Sequence, residues 1–422
     1  TTEIYTLSLH DALPISANVF DYGAAFNQIH MLKGEELHNR GYSGNGIMIA
    51  LLDAGYWHVD QLGAFDSLWA RGQILGTRDF VQPGANVFGD DMHGHGMMVL
   101  STMGAQIPGQ FVGTAPHADY FLIRTEDGAT EYLIEEYNWV SGAELADSLG
   151  ADVINSSLGY TTYDDPAQSH TYADMDGNTA IATLGADRAA SRGILVVNSA
   201  GNSGASAWRY IGAPADGDSV FTLGAVDFQG IYASFSSVGP TSDGRVKPNI
   251  ATQGQGTAFI GYSNTVSYGN GTSFSSPIAA GMMACLWQAH PELNNMQLMN
   301  AVMQTASRAN QPDSLTGFGI PDFFAAYASL STGNPEQESS VAYVIGPNPF
   351  ADRFTIYSPG SVPESREVEV WSADGRKVFA GQWFESSSYQ VILPDRLPQG
   401  LYLLRVSAGG FADTHRLIKL NN

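Results

Sequence analysis

From Gly46 onward, short and almost unbroken apolar runs alternate with stretches of helical period. Ile47-Met48-Ile49-Ala50-Leu51-Leu52 leads up to Asp53. Asp152-Val153-Ile154-Asn155 follows a predicted helix over Tyr137 to Leu149, and Gly193-Ile194-Leu195-Val196-Val197 follows a second over Ala180 to Arg192. Strands that lack polar alternation are covered on both faces, and the intervening helices supply the cover. The pattern therefore predicts an α/β fold with a mostly parallel central sheet. Functional groups in such sheets collect at the carboxyl ends of strands, where Asp53, Ser157 and Asn202 are predicted to fall.

The pattern changes after residue 330. Thr-Gly-Asn-Pro-Glu-Gln-Glu-Ser-Ser over 332–340 reads as a linker, placed at 331–340. Short strands follow at Phe354–Tyr357, Val368–Trp371, Tyr389–Ile392 and Leu401–Val406, with turn signals at Asp374-Gly375 and Pro398-Gln399-Gly400. This spacing predicts a small all-β sandwich over 341–422, beside a larger α/β domain over 17–330.

Composition narrows the possible partners. Hydrophobic residues make up 44% of the 422 and charged residues 14%, as in a chain with a large core. The formal charge of -23, from 42 Asp plus Glu against 19 Lys plus Arg, repels phosphate backbones and anionic membranes, which excludes nucleic acid as a partner. The single cysteine, Cys285, lies in the apolar run Ala279 to Trp287 and is expected as a buried small hydrophobe, so no disulfide forms within the chain. No apolar stretch is long enough for a transmembrane segment. Leu9-His10-Asp11-Ala12-Leu13-Pro14-Ile15 can be back-translated into a sequence resembling a common sequencing-library adapter. Residues 1–16 are therefore expected to be an assembly artefact covering a lost signal peptide and pro-segment, which resequencing of the locus would test.

Four separated segments carry the chemistry: Asp53-Ala54-Gly55 after a buried strand, His95-Gly96 at the start of an apolar helix, Ala200-Gly201-Asn202 after another strand, and Gly271-Thr272-Ser273 before a long apolar stretch. A hydroxyl nucleophile needs a base, a carboxylate to orient that base, and donors for the developing oxyanion. These residue types supply all four roles.

In this order, and above all in Gly271-Thr272-Ser273-Phe274-Ser275-Ser276-Pro277-Ile278-Ala279-Ala280-Gly281, the chain resembles the subtilisin-like (subtilase) serine proteases over about residues 25 to 328. The resemblance implies the three-layer subtilisin-like fold, a catalytic triad of Asp53, His95 and Ser273, and an oxyanion hole formed by Asn202 with the N–H of Ser273. It also implies a substrate-binding edge at Ser157-Leu158-Gly159. His93 offers a second register for the base, but it would put Gly96 inside the first helical turns, so His95 is preferred. Ala54 and Met97 stand where the family has hydroxyl residues, and Asn249 in Lys247-Pro248-Asn249-Ile250 stands where the family has Asp. Gly254-Gln255-Gly256 admits a place near the cleft but reads more simply as a loop. No cofactor is implied. Structural calcium is admitted at Asp174-Met175-Asp176-Gly177-Asn178, which reads more simply as the cap of the helix after Ala180.

Pro347-Asn348-Pro349-Phe350, the Asp374-Gly375 turn, Leu397 to Val406 and Arg416-Leu417-Ile418-Lys419-Leu420 resemble the sorting domain of the type IX secretion system of Bacteroidetes. That implies a partner in the secretion machinery and export through the periplasm and outer membrane to a secreted or cell-surface location. The expected protein is a monomeric serine endopeptidase acting on polypeptides. Two other readings compete with it. One is a catalytically impaired subtilase-fold protein that binds peptides. The other is a metallohydrolase built on Asp90, Asp91, His93 and His95, which lacks a second matching cluster.

Overall fold

The computed structural model describes residues 18–331, 344–357, 366–373, 375–383, 388–394, 396–408 and 411–420. The expectations for residues 1–16, for the linker over 332–340 and for Asp374 lie outside the described residues. Seven strands, β1 (Met48–Asp53), β2 (Ile74–Asp79), β3 (Asp119–Arg124), β4 (Val153–Ser156), β5 (Leu195–Ser199), β6 (Phe221–Val226) and β7 (Ile250–Gln253), form one sheet in the order β2-β3-β1-β4-β5-β6-β7. Every neighbouring pair is parallel.

Alternation along β1 explains the layering. Ile49 and Leu51 join the core that contains helices α1 (His95–Gly104) and α4 (Thr272–Ala289), whereas Met48, Ala50 and Leu52 join the core beneath α2 (Ile134–Leu149) and α3 (Ile181–Ser191). Successive side chains point to opposite faces, so a fully apolar strand requires a helical layer on each side. Helix α4 is buried from Thr272 to Trp287, as expected of a helix apolar around most of its circumference, and Cys285 lies fully buried within it.

The C-terminal region folds as two antiparallel sheets. Val344–Gly346, Arg353–Tyr357 and Ser388–Ile392 form one; Lys377–Trp383, Arg366–Ser372, Gly400–Ala408 and Phe411–Lys419 form the other, in that order. They share an apolar core that includes Phe354, Val368, Val370, Trp383 and Leu404. The two outer strands of the larger sheet are not among the strands read from the pattern, although Arg416-Leu417-Ile418-Lys419-Leu420 within the last one carries part of the resemblance. Edge strands carry mixed composition because half of their surroundings are solvent.

One buried cation bears on stability. The Lys247 side chain is 2% exposed and donates to Val220 O at 2.6 Å, Thr222 Oγ1 at 3.0 Å and Asn249 Oδ1 at 3.1 Å, all neutral oxygens. Burial pushes its pKa down to about 7, with Arg245 adding to the shift. A lysine whose folded pKa is depressed leaves the native state holding fewer protons than the unfolded chain, so stability rises as pH climbs from about 7 towards the ordinary lysine value of about 10.4. Asn249→Asp would place a carboxylate beside the ammonium. We expect it to stabilise the protein at pH 7 by about 1 kcal/mol, the equivalent of one unit in that pKa, and to flatten the pH dependence. Denaturant titrations of both proteins across this range check it; an unchanged midpoint would refute it.

Candidate active site

Asp53 ends β1 and is fully buried. Its Oδ1 accepts from the Ala54 N–H at 2.8 Å and lies 2.8 Å from His95 Nδ1, while Oδ2 is buried and has no hydrogen-bond partner among the described residues. His95 is the first residue of α1, with Gly94 as N-cap, and its side chain remains one-quarter exposed. The close approach of α1 to the turn after β1 depends on Gly96. A Cβ there would stand 2.6 Å from Gly55 O and 2.9 Å from Asp53 Cβ. Burial alone lowers the pKa of His95, but the charge of Asp53 and the hydrogen bond to it outweigh burial, and the net shift is upward.

His93 is exposed, and its Nδ1 accepts from the His95 N–H at 3.2 Å, so it serves the start of the helix. Asp90, named in the competing metallohydrolase reading, pairs with His58 Nε2 at 2.6 Å. Among the described residues no group of three or more His, Cys, Asp or Glu side chains is arranged to hold a metal ion. Around the candidate calcium segment, Asp174 caps a short helical turn through Thr171, and Asp176 accepts from Asn178 N and Thr179 Oγ1. The helix that follows has Ala180 as N-cap with no side-chain bond; its Ala182 N–H is taken by Glu136 of α2 at 2.8 Å instead. The cap expected locally therefore comes from another helix.

Ser273 is the second residue of α4 and 9% exposed. Its hydroxyl donates to Ser157 O at 3.4 Å. Pro277, four residues on, lacks the N–H that would bond to the Ser273 carbonyl, and Ser157 Oγ donates to that carbonyl at 3.0 Å in its place. Ser157 thereby ties the segment after β4 to the first turn of α4. A further residue not singled out from the sequence, Thr272, orients Asn202. Its N–H and Oγ1 donate to Asn202 Oδ1 at 2.9 and 3.1 Å, which directs the amide NH₂ the other way. An atom at the Cβ position of Gly271 would lie 3.7 Å from Ser273 N and 3.8 Å from Asn202 Nδ2, so both donors border the same small space.

Helix α1, which begins at His95, packs on helix α4, which carries Ser273 in its first turn. Met97 is fully buried in that core, and Ser101 braces α1 instead, its Oγ donating to Met98 O at 2.6 Å and accepting from Ile260 N at 2.9 Å. Gly254-Gln255-Gly256 is not a free loop. Gly254 lies against the start of α4, where its carbonyl accepts from Gly271 N at 2.8 Å, and Gln255 opens a strand. A cavity of about 160 Å³ is lined by Ser273 together with Ser157-Leu158-Gly159, Asn202, Tyr210 and Gly212.

Comparison with known proteins gives concordant results. Residues 44–320 match the family described as the subtilase family, and residues 344–420 match the secretion system C-terminal sorting domain. Subtilisin NAT of Bacillus subtilis subsp. natto is 32% identical over 284 residues, covering 66% of this chain and 65% of that protein. Subtilisin DY of Bacillus licheniformis is 31% identical over 283 residues, covering 66% and 90%. The chain thus spans just under two thirds of the length of the first two curated relatives. Among solved structures, MycP1 from Mycobacterium smegmatis superposes with a TM-score of 0.56 at 22% identity over 75% of this chain and 86% of that one, a likeness of fold.

Proposed function

Because the chain belongs to the subtilase family, we propose that it is a secreted serine endopeptidase that cleaves polypeptides through an acyl-enzyme formed on Ser273. The observation that carries this reading is the 2.8 Å contact between His95 Nδ1 and a buried Asp53 carboxylate. Asp53 holds the proton on Nδ1, so that Nε2 is the free base.

Ser273 Oγ turns from the Ser157 carbonyl, a long and weak bond at 3.4 Å, and gives its proton to His95 Nε2 as it attacks the peptide carbonyl. The oxyanion forms between Ser273 N–H and Asn202 Nδ2. His95 then protonates the leaving amine, and water repeats the sequence to free the acid. The substrate main chain lies along Ser157-Leu158-Gly159, with the side chain next to the scissile carbonyl entering the adjoining cavity. No cofactor takes part, and the only role for calcium consistent with this chemistry is structural. The protein acts as a monomer, and its C-terminal module hands it to the type IX secretion machinery.

A serine-directed fluorophosphonate followed by peptide mapping tests the assignment. The expected adduct is on Ser273; a hydrolytically active preparation without it would overturn the reading. Asn202→Ala should lower kcat by about 10²- to 10³-fold with little change in KM, a magnitude taken from subtilisin, a relative of this chain. A loss confined to KM would mean that Asn202 binds the ground state only.

A further inference from the structure

The amino ends of the central strands form a second polar site, at the pole opposite the triad. Asp152, immediately before β4, is 4% exposed; its Oδ2 accepts from Met48 N at 2.9 Å, and its Oδ1 pairs with Arg416 of the last strand, Phe411–Lys419. Arg416 Nη1 also donates to Gly150 O at 2.9 Å. Gly150 is the left-handed C-cap of α2, φ +75°, so its carbonyl lies at the negative end of a sixteen-residue helix. A carboxylate and a helix C-terminus thus converge on one guanidinium nitrogen, Nη1, whose two N–H groups can serve one acceptor each.

The contact extends beyond the ion pair. His415 is buried, and a Cβ on Gly46, just before β1, would lie 3.9 Å from its Nδ1. A Cβ on Gly150 would lie 3.7 Å from Leu401 Cδ2, and one on Gly72, before β2, 3.9 Å from Asn348 O. Ile418 packs against the core beneath α2 and α3. All these positions on the α/β domain precede a strand, whereas Asp53 ends one and Ser157 and Asn202 follow one.

We propose that the notch formed by Asp152 and the C-terminus of α2 is a guanidinium-binding site filled in cis by Arg416, which docks the C-terminal module on the pole of the α/β domain opposite the triad. Asp119, first in β3, lies within electrostatic reach of Asp152; burial and that neighbour raise its pKa to about 7, so below that pH it is mostly neutral and Asp152 is left as the charged partner of Arg416. Six residues of β1 separate the two poles by roughly 17 Å, so the docked module leaves the cleft uncovered. The inference is independent of the chemistry at Ser273.

Hydrogen exchange read by mass spectrometry on the full chain, in a Ser273→Ala background to prevent self-cleavage, tests it. Arg416→Glu should raise exchange in segments 145–153 and 414–419 on the order of tenfold and expand the particle in small-angle scattering. Asp152→Asn, which keeps an acceptor for Met48 N, should reproduce the effect in 145–153. The double variant Asp152→Asn with Arg416→Gln should do no more than either single change. Arg416→Lys should give a partial loss. Protection of Val368–Val370 and Leu404–Val406 reports whether the module stays folded; if Arg416→Glu removes it, the lysine and asparagine variants decide. Unchanged exchange in 145–153, or full additivity in the double variant, would show that the module is merely tethered.

Discussion

Replacing Ser273 with alanine should lower kcat by about 10⁶-fold, the scale on which subtilisin, a relative of this chain, loses turnover without its serine. The change should leave folding almost untouched. The Ser273 hydroxyl makes one long bond, to Ser157 O, and the stronger bond from Ser157 Oγ goes to the Ser273 carbonyl, which alanine retains. A substitution that deletes one weakly bonded hydroxyl falls within about 0.5 kcal/mol of neutral, so the thermal midpoint should match that of the parent. Burst and steady-state assays on the two proteins separate the outcomes. A variant that still turns over within tenfold of the parent would move the nucleophile elsewhere and remove the basis for the triad.

The sequence carried the central sheet because its strands are buried on both faces. Ile47 to Leu52 and Ile194 to Val197 have no solvent side on which polar residues could blur the pattern. The triad segments were legible for a related reason. Each sits where a buried strand or apolar helix begins or ends, and the chemistry demands a rare residue type at that point. The supporting contacts were less legible because they join residues far apart in the chain. Ser157 compensates for Pro277 across 116 positions between Ser157 and Ser273, and Glu136 caps the helix at Ala182 from 46 residues away. The proline itself announces an unpaired carbonyl four residues earlier, but nothing local says which donor fills it. The edge strands Lys377–Trp383 and Phe411–Lys419 were not legible as strands because their composition is mixed; Arg416-Leu417-Ile418-Lys419-Leu420 was legible only through its resemblance to a sorting domain, and nothing local pairs Arg416 with Asp152 in the other domain.

Asp53→Asn should cost about 10⁴-fold in kcat, because an amide can donate to Nδ1 and stabilise the tautomer whose Nε2 carries the proton. The same variant carries a pH signature. His95 must be neutral to act as base. Its pKa is raised above the ordinary value of about 6.5 because Asp53 outweighs the burial that would lower it. Activity of the parent should therefore fall as pH drops through a midpoint above that value. Without the carboxylate, burial acts alone, and the midpoint of the residual activity should move below it. Stability changes in the opposite sense. A histidine whose folded pKa is raised contributes its ion-pair energy fully below the unfolded pKa and loses it as pH rises through the folded one, so the parent's advantage over Asp53→Asn should be larger at pH 5 than at pH 9. Profiles of kcat/KM and of denaturation midpoint against pH report the two effects separately. An acid limb that stays in place in the variant would mean that a group other than His95 controls the rate, and the pairing at 2.8 Å would then be structural.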